Sequence, residues 1–250
     1  MASEQAERRE PVFNAPTVVI VVIACLVIVH TIRLWLPYAD DGVVVMYLAF
    51  IPARLTEAGA SLPGGALAGY TSSFTHALLH ADWLHLTLNS AWMLAFGALI
   101  ARRCGAFGFL WLFAASAVAG ALFFFLVNAD QMVPLVGASG GVSGLMGGAF
   151  RVIFSASHFG GIQTMRSHPN AIPRMPLQVA LLDPSTMLGV GLWLAINLIF
   201  GLGLGDLFQS GEIAWEAHVG GFLFGFLLFR WFDKGPGYKD LREWQPGSRA

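Results

Sequence analysis

Apolar residues in this chain are gathered into six runs, which polar, proline-rich or glycine-rich segments separate. Each run reaches, or nearly reaches, the length of about 20 residues that a helix needs to cross a membrane. The runs cover residues 17–36, 84–101, 106–127, 138–154, 186–204 and 213–232, and the run at 138–154 is the shortest. The pattern predicts an all-α membrane protein built as a bundle of six transmembrane helices.

The segment between the first two runs is too interrupted to cross a membrane. Residues 43–51 are apolar but too few to span, and they are followed by Pro52, Arg54 and a turn at 63–65 that is rich in glycine and proline. Breaks of this kind favour irregular structure. We therefore expect a long first external loop that lies at the membrane interface.

The basic residues fall almost entirely on one side of the six runs. With the amino terminus inside, twelve of the fourteen Lys and Arg residues lie on the cytoplasmic side, and only Arg33 and Arg54 lie outside. Because cytoplasmic loops carry an excess of positive residues, this bias predicts cytoplasmic termini. The chain then divides into a short cytoplasmic segment at 1–16, a six-helix membrane domain at 17–233 and a cytoplasmic tail at 234–250.

The composition agrees with a membrane protein and narrows its location. Hydrophobic residues make up 56% of the chain and charged residues 12%, and a net charge of −1 gives no sign of nucleic-acid binding. The amino-terminal stretch carries three glutamates ahead of a full-length span, which is typical of neither a cleaved signal peptide nor a mitochondrial presequence. We expect a multi-pass protein of the bacterial inner membrane, in contact with lipid.

Three polar residues of catalytic type lie at nearly the same depth in the second, fourth and sixth runs. Each precedes a cytoplasmic arginine by 12 or 13 residues: Asn89 before Arg102, Ser139 before Arg151 and His218 before Arg230. At about 1.5 Å per helical residue, each lies roughly 18 to 20 Å from its arginine, inside a hydrocarbon core about 30 Å thick. A polar group at that depth is costly and indicates function.

Ser139 opens the fourth run in the sequence Gly137-Ala138-Ser139-Gly140, after a segment at 128–136 that looks non-helical. Irregular backbone at this depth must border protein or water, so we expect a water pocket that reaches Ser139. A helix amino terminus also offers unpaired N–H groups that suit an oxyanion. Serines are common in membrane helices, so Ser139 taken alone favours a packing role, and only a partner base reverses that interpretation.

Glycines in the fourth and sixth runs have the spacing of close helix packing. They recur at every fourth position, as Gly140, Gly144 and Gly148 and as Gly221 and Gly225. His218 shares the face of the second set, and a neutral imidazole within reach of a hydroxyl can take its proton and return it to a leaving amine. No Asp or Glu falls in the interior of the runs, so we expect a Ser–His dyad rather than a triad.

The second run carries further polar groups. His85 and Asn89 are four residues apart and share one helical face, where their donors could stabilise an oxyanion together with the backbone N–H of Ser139. Each residue alone would more often join helices. His76 and His80 are also four apart and raise the alternative of a metal site, but acidic ligands at matching depth are missing, so we expect no metal.

The motifs that carry these residues resemble a known family. FTHALLHADWLHLTLNSAW, GASG and AHVGGFLFG occur in that order on the second, fourth and sixth runs, and over about residues 71–228 they resemble the rhomboid family of intramembrane serine proteases. The resemblance implies a six-helix rhomboid-like bundle in which Ser139 is the nucleophile and His218 the general base. It also implies that His85, Asn89 and the Ser139 backbone form the oxyanion hole.

The same resemblance implies the kind of substrate. It would be a transmembrane segment of another protein, cut near its outer end through an acyl-enzyme, without a metal, ATP or another cofactor. The residues expected to support the site are His80, Gly137, Gly140, Ser143, Gly221 and Gly225.

Two places depart from the family pattern. Thr71 and Ser72 stand where many rhomboids have Trp-Arg, so we expect the first loop to be anchored differently. Ser143 stands where an aromatic residue often stacks on the catalytic histidine, and we expect it to hydrogen-bond to His218 instead. Its hydroxyl lies one turn deeper than that of Ser139 and is the less favourable nucleophile, because it is farther from water.

Two other functions remain open at this point. A catalytically inactive rhomboid-like protein would bind membrane proteins without cutting them, although the presence of both Ser139 and His218 speaks against it. A polytopic transporter would use the same polar residues to line a pathway, and its flux would survive loss of the Ser139 hydroxyl.

Overall fold

The computed structural model describes residues 15–59, 61–201 and 214–237. This part of the chain forms helices α1 (Thr17–Trp35), α2 (Tyr38–Leu48), α3 (Gly65–Thr75), α4 (Trp83–Trp92), α5 (Ala98–Asn128), α6 (Ser139–Ala156), α7 (Gly161–Ser167), α8 (Leu177–Ala180), α9 (Pro184–Ile199) and α10 (Trp215–Leu228). Within these ranges no strand forms, and only two isolated β-bridges occur. The all-α prediction is confirmed for the described residues.

The second and third apolar runs form one nearly continuous helical path. α4 continues through a π-helical segment, Met93–Gly97, into α5, where Gly105 breaks the helix with φ 72° and ψ 173°. A Cβ on Gly97 would lie 2.9 Å from the Phe109 ring, so the chain folds back on itself at this break. By length and composition, Thr17–Trp35 and Trp83–Asn128 are apolar enough to cross a membrane.

Close contact between α6 and α10 forms the centre of the bundle. A Cβ on Gly221 would collide with the backbone of Gly140, and a Cβ on Gly225 would collide with the backbone of Gly144. Residue numbers increase together along the contact, so the two helices run parallel. The glycine spacing therefore has the packing role that the sequence predicted, because only hydrogen side chains let the two backbones touch.

The first loop is more ordered than its sequence suggested. It contains α2 and α3, and the hydroxyl of Thr75 at the end of α3 donates to the carbonyl of Leu48 at the end of α2, at 2.9 Å. Residues 43–51 are therefore mostly helical and not an irregular loop. The loop folds because its two short helices cap and pack on each other. The hydrophobic pattern of each segment taken alone does not reveal this contact.

Arg54 anchors this loop from within. Its side chain is 2% exposed, and its guanidinium donates to the carbonyls of Met46 and Pro63. The hydroxyl of Ser72, one of the two positions that depart from the family pattern, donates to the Gly69 carbonyl within the same helix and does not reach the rest of the loop. The different anchor that we expected is therefore an arginine that precedes α3 in sequence.

The segment that carries His76 and His80 is not part of the helix that the second apolar run forms. α3 ends at Thr75, a 3-10 turn covers His76–Leu78, and Leu79 is extended. Asp82 then caps α4 by accepting the His85 N–H at 2.8 Å. The placement of His76 and His80 on one helical face was wrong, because the chain breaks between them.

The segment between α6 and α9 is tied to the bundle by a cluster that we call the arginine clamp: Arg103, Arg174 and Asp233. Arg103 makes two 2.8 Å bonds to the Asp233 carboxylate, and Arg174 makes a third at 2.9 Å. The side chains of Arg103 and Asp233 are both fully buried. Arg103 also donates to the carbonyls of Pro169 and Ile172, so the clamp holds this segment in place.

Arg151 is buried within the bundle. The depth predicted for Ser139 assumed that Arg151 lies at the cytoplasmic surface, and this assumption was wrong. It is 1% exposed and donates to the carbonyls of Met175 and Phe226, each at 2.7 Å. The carbonyls at the end of a helix lack partners within that helix, and α10 ends beside Arg151. A guanidinium with several fixed donors satisfies such carbonyls without a carboxylate.

Adding one methyl group to the contact between α6 and α10 should destabilise the bundle. Gly225→Ala places a Cβ against the Gly144 carbonyl, so we expect a loss of about 1 to 3 kcal/mol in the free energy of unfolding. Gly191→Ala is the matched control, because nothing lies within 4 Å of its Cβ and alanine favours a helix. Unfolding in mild detergent compares the two, and equal stability would contradict the packing role.

Acid should weaken the arginine clamp. Burial alone would raise the pKa of Asp233, but hydrogen bonds from Arg103 and the charges of Arg103 and Arg174 outweigh it and hold the pKa below its ordinary value. A carboxyl with a lowered folded-state pKa stabilises the fold at neutral pH and loses that effect as the pH falls below about 4.

Asp233→Asn should therefore lower stability at pH 7, by about 3 to 5 kcal/mol if Arg103 stays buried without a counter-charge. The difference from wild type should shrink as the pH approaches about 3. The exposed acid Asp130 supplies the control variant Asp130→Asn. Unfolding curves at several pH values test this, and a constant difference between Asp233→Asn and wild type would rule the clamp out as its source.

Candidate active site

Ser139 stands at the first position of α6, after an irregular segment of the kind that the sequence predicted. That segment is held by two backbone bonds between Leu135 and Phe50, at 2.8 and 3.1 Å. The N–H of Gly137 donates to the carbonyl of His76 at 3.0 Å, and Gly137 has φ 120°, which favours glycine. The first loop and this turn together fix where α6 begins.

The start of α6 has the properties of an anion site. Ser139 is half-buried, and among the described residues its backbone N–H has no acceptor. The N–H groups of a first helical turn lack intrahelical partners and carry the positive end of the helix dipole. A negative oxygen beside Ser139 would therefore find a donor already in place.

His218 lies in the first turns of α10 and is oriented by a residue that the sequence reasoning missed. Its Nδ1 lies 2.7 Å from Oδ1 of Asn197 on α9. The signal was available, because Asn197 is an amide within an otherwise apolar run. Its partner could not be inferred without the packing of α9 on α10.

The expected bond between Ser143 and His218 does not form. In the described part of the chain, no hydrogen bond joins them, and Ser143 is 6% exposed, one turn below Ser139. Nδ1 of His218 bonds to Asn197 on the other side, because α9 packs there. The hydrogen bond between Ser143 and His218 therefore stays a prediction, which the hydrogen bonds of the described residues do not support.

Ser139 and His218 begin neighbouring helices at the same level. Gly140, next to Ser139, would place a Cβ 3.4 Å from the carbonyl oxygen of Ala217, next to His218. The described residues contain no hydrogen bond between the Ser139 hydroxyl and the His218 ring. Catalytic hydrogen bonds are often long before a substrate binds. The structure thus brings the two helix ends together and leaves the bond between the side chains unformed.

His85 lies next to the serine turn. A Cβ on Gly137 would lie 2.7 Å from Nε2 of His85 and 3.6 Å from Oγ of Ser139, so the ring and the hydroxyl flank the same glycine. Asn89 is buried one turn deeper, and its side-chain amide donates to the His85 carbonyl at 3.0 Å. The structure brings His85 to Ser139 and shows no contact between Asn89 and Ser139.

His80 supports the serine turn from the other side. It is fully buried, its Nε2 lies 3.4 Å from the backbone N of Ala138, and its ring meets His85 edge to face at 5.1 Å. An N–H at this position donates to the ring nitrogen. His80 therefore contacts both the turn and the neighbouring histidine.

Acidic groups and metal ligands do not gather here. Glu216, two residues before His218, accepts a 3.2 Å bond from Asn128 and so points toward α5, away from His218. Across the described ranges, no group of three or more His, Cys, Asp and Glu side chains could hold a metal ion. The arrangement offers a hydroxyl, an imidazole and N–H donors, which is the chemistry of acyl transfer.

Comparison with protein-family models finds the Rhomboid domain over residues 67–232. The match covers more than half of the chain and includes every candidate site residue. No curated protein matches the sequence.

Replacing Gly137 should disturb the serine turn through both strain and collision. Gly137→Ala puts a methyl group against the His85 ring at φ 120°, and we expect a loss of about 2 kcal/mol or more in stability. Gly161→Ala separates the two causes, because Gly161 has φ 74° with nothing within 4 Å of its Cβ. Unfolding in detergent measures both, and an equal loss in the two variants would show that the collision with His85 contributes nothing.

Proposed function

Because this chain belongs to the rhomboid family, we propose that it is an intramembrane serine endopeptidase that cleaves transmembrane segments of other membrane proteins. The family spans membranes with several helices and includes both proteases and inactive members. One observation carries the proposal: Nδ1 of His218 is engaged by Asn197, which leaves Nε2 as the free ring nitrogen beside the helix end that begins at Ser139. A histidine held in this way is prepared to act as a base.

We also propose the arrangement in the membrane that the charge pattern indicates. Six helices cross the bilayer, both termini are cytoplasmic, and the site opens toward the outer face of a bacterial inner membrane. Large apolar side chains on the outside of the bundle support contact with lipid: Ile28 is 55% exposed, and Leu188 and Leu192 on α9 are 74% and 61% exposed. Helix surfaces with this many exposed apolar side chains are unfavourable in water.

The reaction follows from the groups at the start of α6 and α10. Oγ of Ser139 attacks the carbonyl carbon of the substrate, and Nε2 of His218 takes the hydroxyl proton. The N–H of Ser139 and the His85 ring donate to the carbonyl oxygen as it becomes negative. His218 then gives its proton to the leaving amine, and water releases the acyl-enzyme by the same steps in reverse order.

A substrate must lose helical structure before it can be cut. A transmembrane helix bonds its own backbone groups, and this shields the peptide bond from attack. We propose that the substrate reaches Ser139 laterally, past α9, and that residues of weak helix propensity near its outer end favour unwinding. The segment at 205–211, which precedes His218 in the sequence, falls outside the described residues.

An inactive, binding member of the family is the second candidate. The observation that favours it is the lack of a hydrogen bond between the Ser139 hydroxyl and His218 in the described residues. The two candidates differ in one measurable property, which is whether Ser139 can form a covalent bond.

Removal of the Ser139 hydroxyl should abolish cleavage. We expect Ser139→Ala to lower the rate on single-pass reporter proteins in reconstituted bilayers by at least about 10³-fold, because the nucleophile is lost. A fluorophosphonate should label wild type and Ser143→Ala but not Ser139→Ala, which separates the two hydroxyls. Labelling at Ser143 would overturn the proposal. A wild-type protein that is neither labelled nor able to cut any of the reporter proteins would overturn it as well.

A further inference from the structure

Asn197 makes two hydrogen bonds that leave its amide with one orientation. Its Nδ2 donates to the carbonyl of Trp193, one turn earlier on α9, at 2.9 Å. Its Oδ1 lies 2.7 Å from Nδ1 of His218. If the amide were flipped, its oxygen would face the Trp193 carbonyl oxygen, and two acceptors would oppose each other. The oxygen of Asn197 is therefore the atom that faces His218.

An amide oxygen can only accept, so the nitrogen that faces it must carry the proton. His218 is then the Nδ1–H tautomer, with the lone pair on Nε2. Only that tautomer can take a proton from a serine that faces Nε2. In a serine protease where an Asp orients the histidine, the wrong tautomer lowers kcat by about 10⁴-fold.

We propose that Asn197 is a positioning residue that fixes the tautomer and orientation of His218. The inference rests on the proposed protease function and deepens it, because it replaces the expected dyad with a Ser–His–Asn set. A neutral amide suits this depth, since a carboxylate there would carry the cost of a buried charge. An Asn has the same place in one class of cysteine proteases.

The packing of α9 on α10 sets the geometry of this bond. Trp193 stacks on Phe222 with ring centroids 4.1 Å apart and an interplanar angle of 18°. Trp193 and Asn197 are one turn apart on α9, and Phe222 and His218 are one turn apart on α10, so the two pairs are in antiparallel register. The aromatic stack therefore holds the amide at the level of the imidazole.

Among the residues that the structure describes, no other group competes for Nδ1 of His218. Ser143 makes no bond to it in the described residues, and Glu216 is turned toward Asn128. His85 is the nearby titratable side chain, and it lies on the side of the serine turn. Among the described residues, Asn197 is thus the group that fixes the orientation of the His218 ring.

The test combines the tautomer of His218 with the kinetics of cleavage. Asn197→Leu keeps the volume and removes the acceptor, whereas Asn197→Asp keeps an oxygen in the same place. Gly189→Ala is the control for docking of α9, because its Cβ would press on the Phe154 ring two turns from Asn197. All variants are the full chain reconstituted in bilayers.

We expect Asn197→Leu to lower kcat by at least about 10²-fold with KM changed less than about threefold, because general-base catalysis is lost and not binding. Asn197→Asp should recover part of kcat, because it keeps the acceptor for Nδ1 but sets a second oxygen against the Trp193 carbonyl. Gly189→Ala should change kcat by less than about threefold. A fall in Gly189→Ala as large as that in Asn197→Leu would show that Asn197 acts only by docking α9, and this would overturn the proposal.

Nitrogen-15 spectra of the seven histidines give a readout that needs no cleavage. They are recorded in a Ser139→Ala background, with His218 assigned by its loss in His218→Gln. The Nδ1–H form should dominate with Asn197 and give way to a mixture in Asn197→Leu. An unchanged tautomer in Asn197→Leu would overturn the proposal even where cleavage stands, and absence of cleavage in wild type would reject the protease function separately.

Discussion

Backbone contact between α6 and α10 is the constraint on which the candidate site depends. Gly140 meets Gly221 and Gly144 meets Gly225, so the helices lie as close as two helices can. A residue at the start of one helix is then level with a residue at the start of the other. Ser139 and His218 take their relative position from four glycines that have no chemistry of their own.

Backbone carbonyls are the acceptors for two buried arginines on either side of this contact. Arg54 in the first loop and Arg151 at the opposite end of the bundle both donate to carbonyls, and neither has a carboxylate partner within the described ranges. Gly137 donates to the carbonyl of His76, which joins the first loop to the serine turn. Bonds to carbonyls satisfy these donors without a buried carboxylate. They also allow irregular backbone to lie beside helices in apolar surroundings.

The sequence was sufficient for features that repeat along the chain and insufficient for contacts between distant segments. Spacing predicted the long apolar helices and the glycine faces but missed α2 and α3, and the family match agrees with the resemblance that the motifs indicated. The pairing of Asn197 with His218 depends on which side of α10 receives α9, and no spacing encodes that. The burial of Arg151 was missed for the same reason, because its acceptors, the carbonyls of Met175 and Phe226, lie far along the chain.

The arginine clamp has a consequence for biosynthesis. Arg103 and its counter-ion Asp233 are 130 residues apart, and Asp233 follows α10. While the chain is being made, the guanidinium of Arg103 lacks this counter-charge until translation has passed residue 233, and a buried guanidinium without a counter-charge is costly. The end of the bundle that holds the arginine clamp can therefore be completed only after residue 233 has been made.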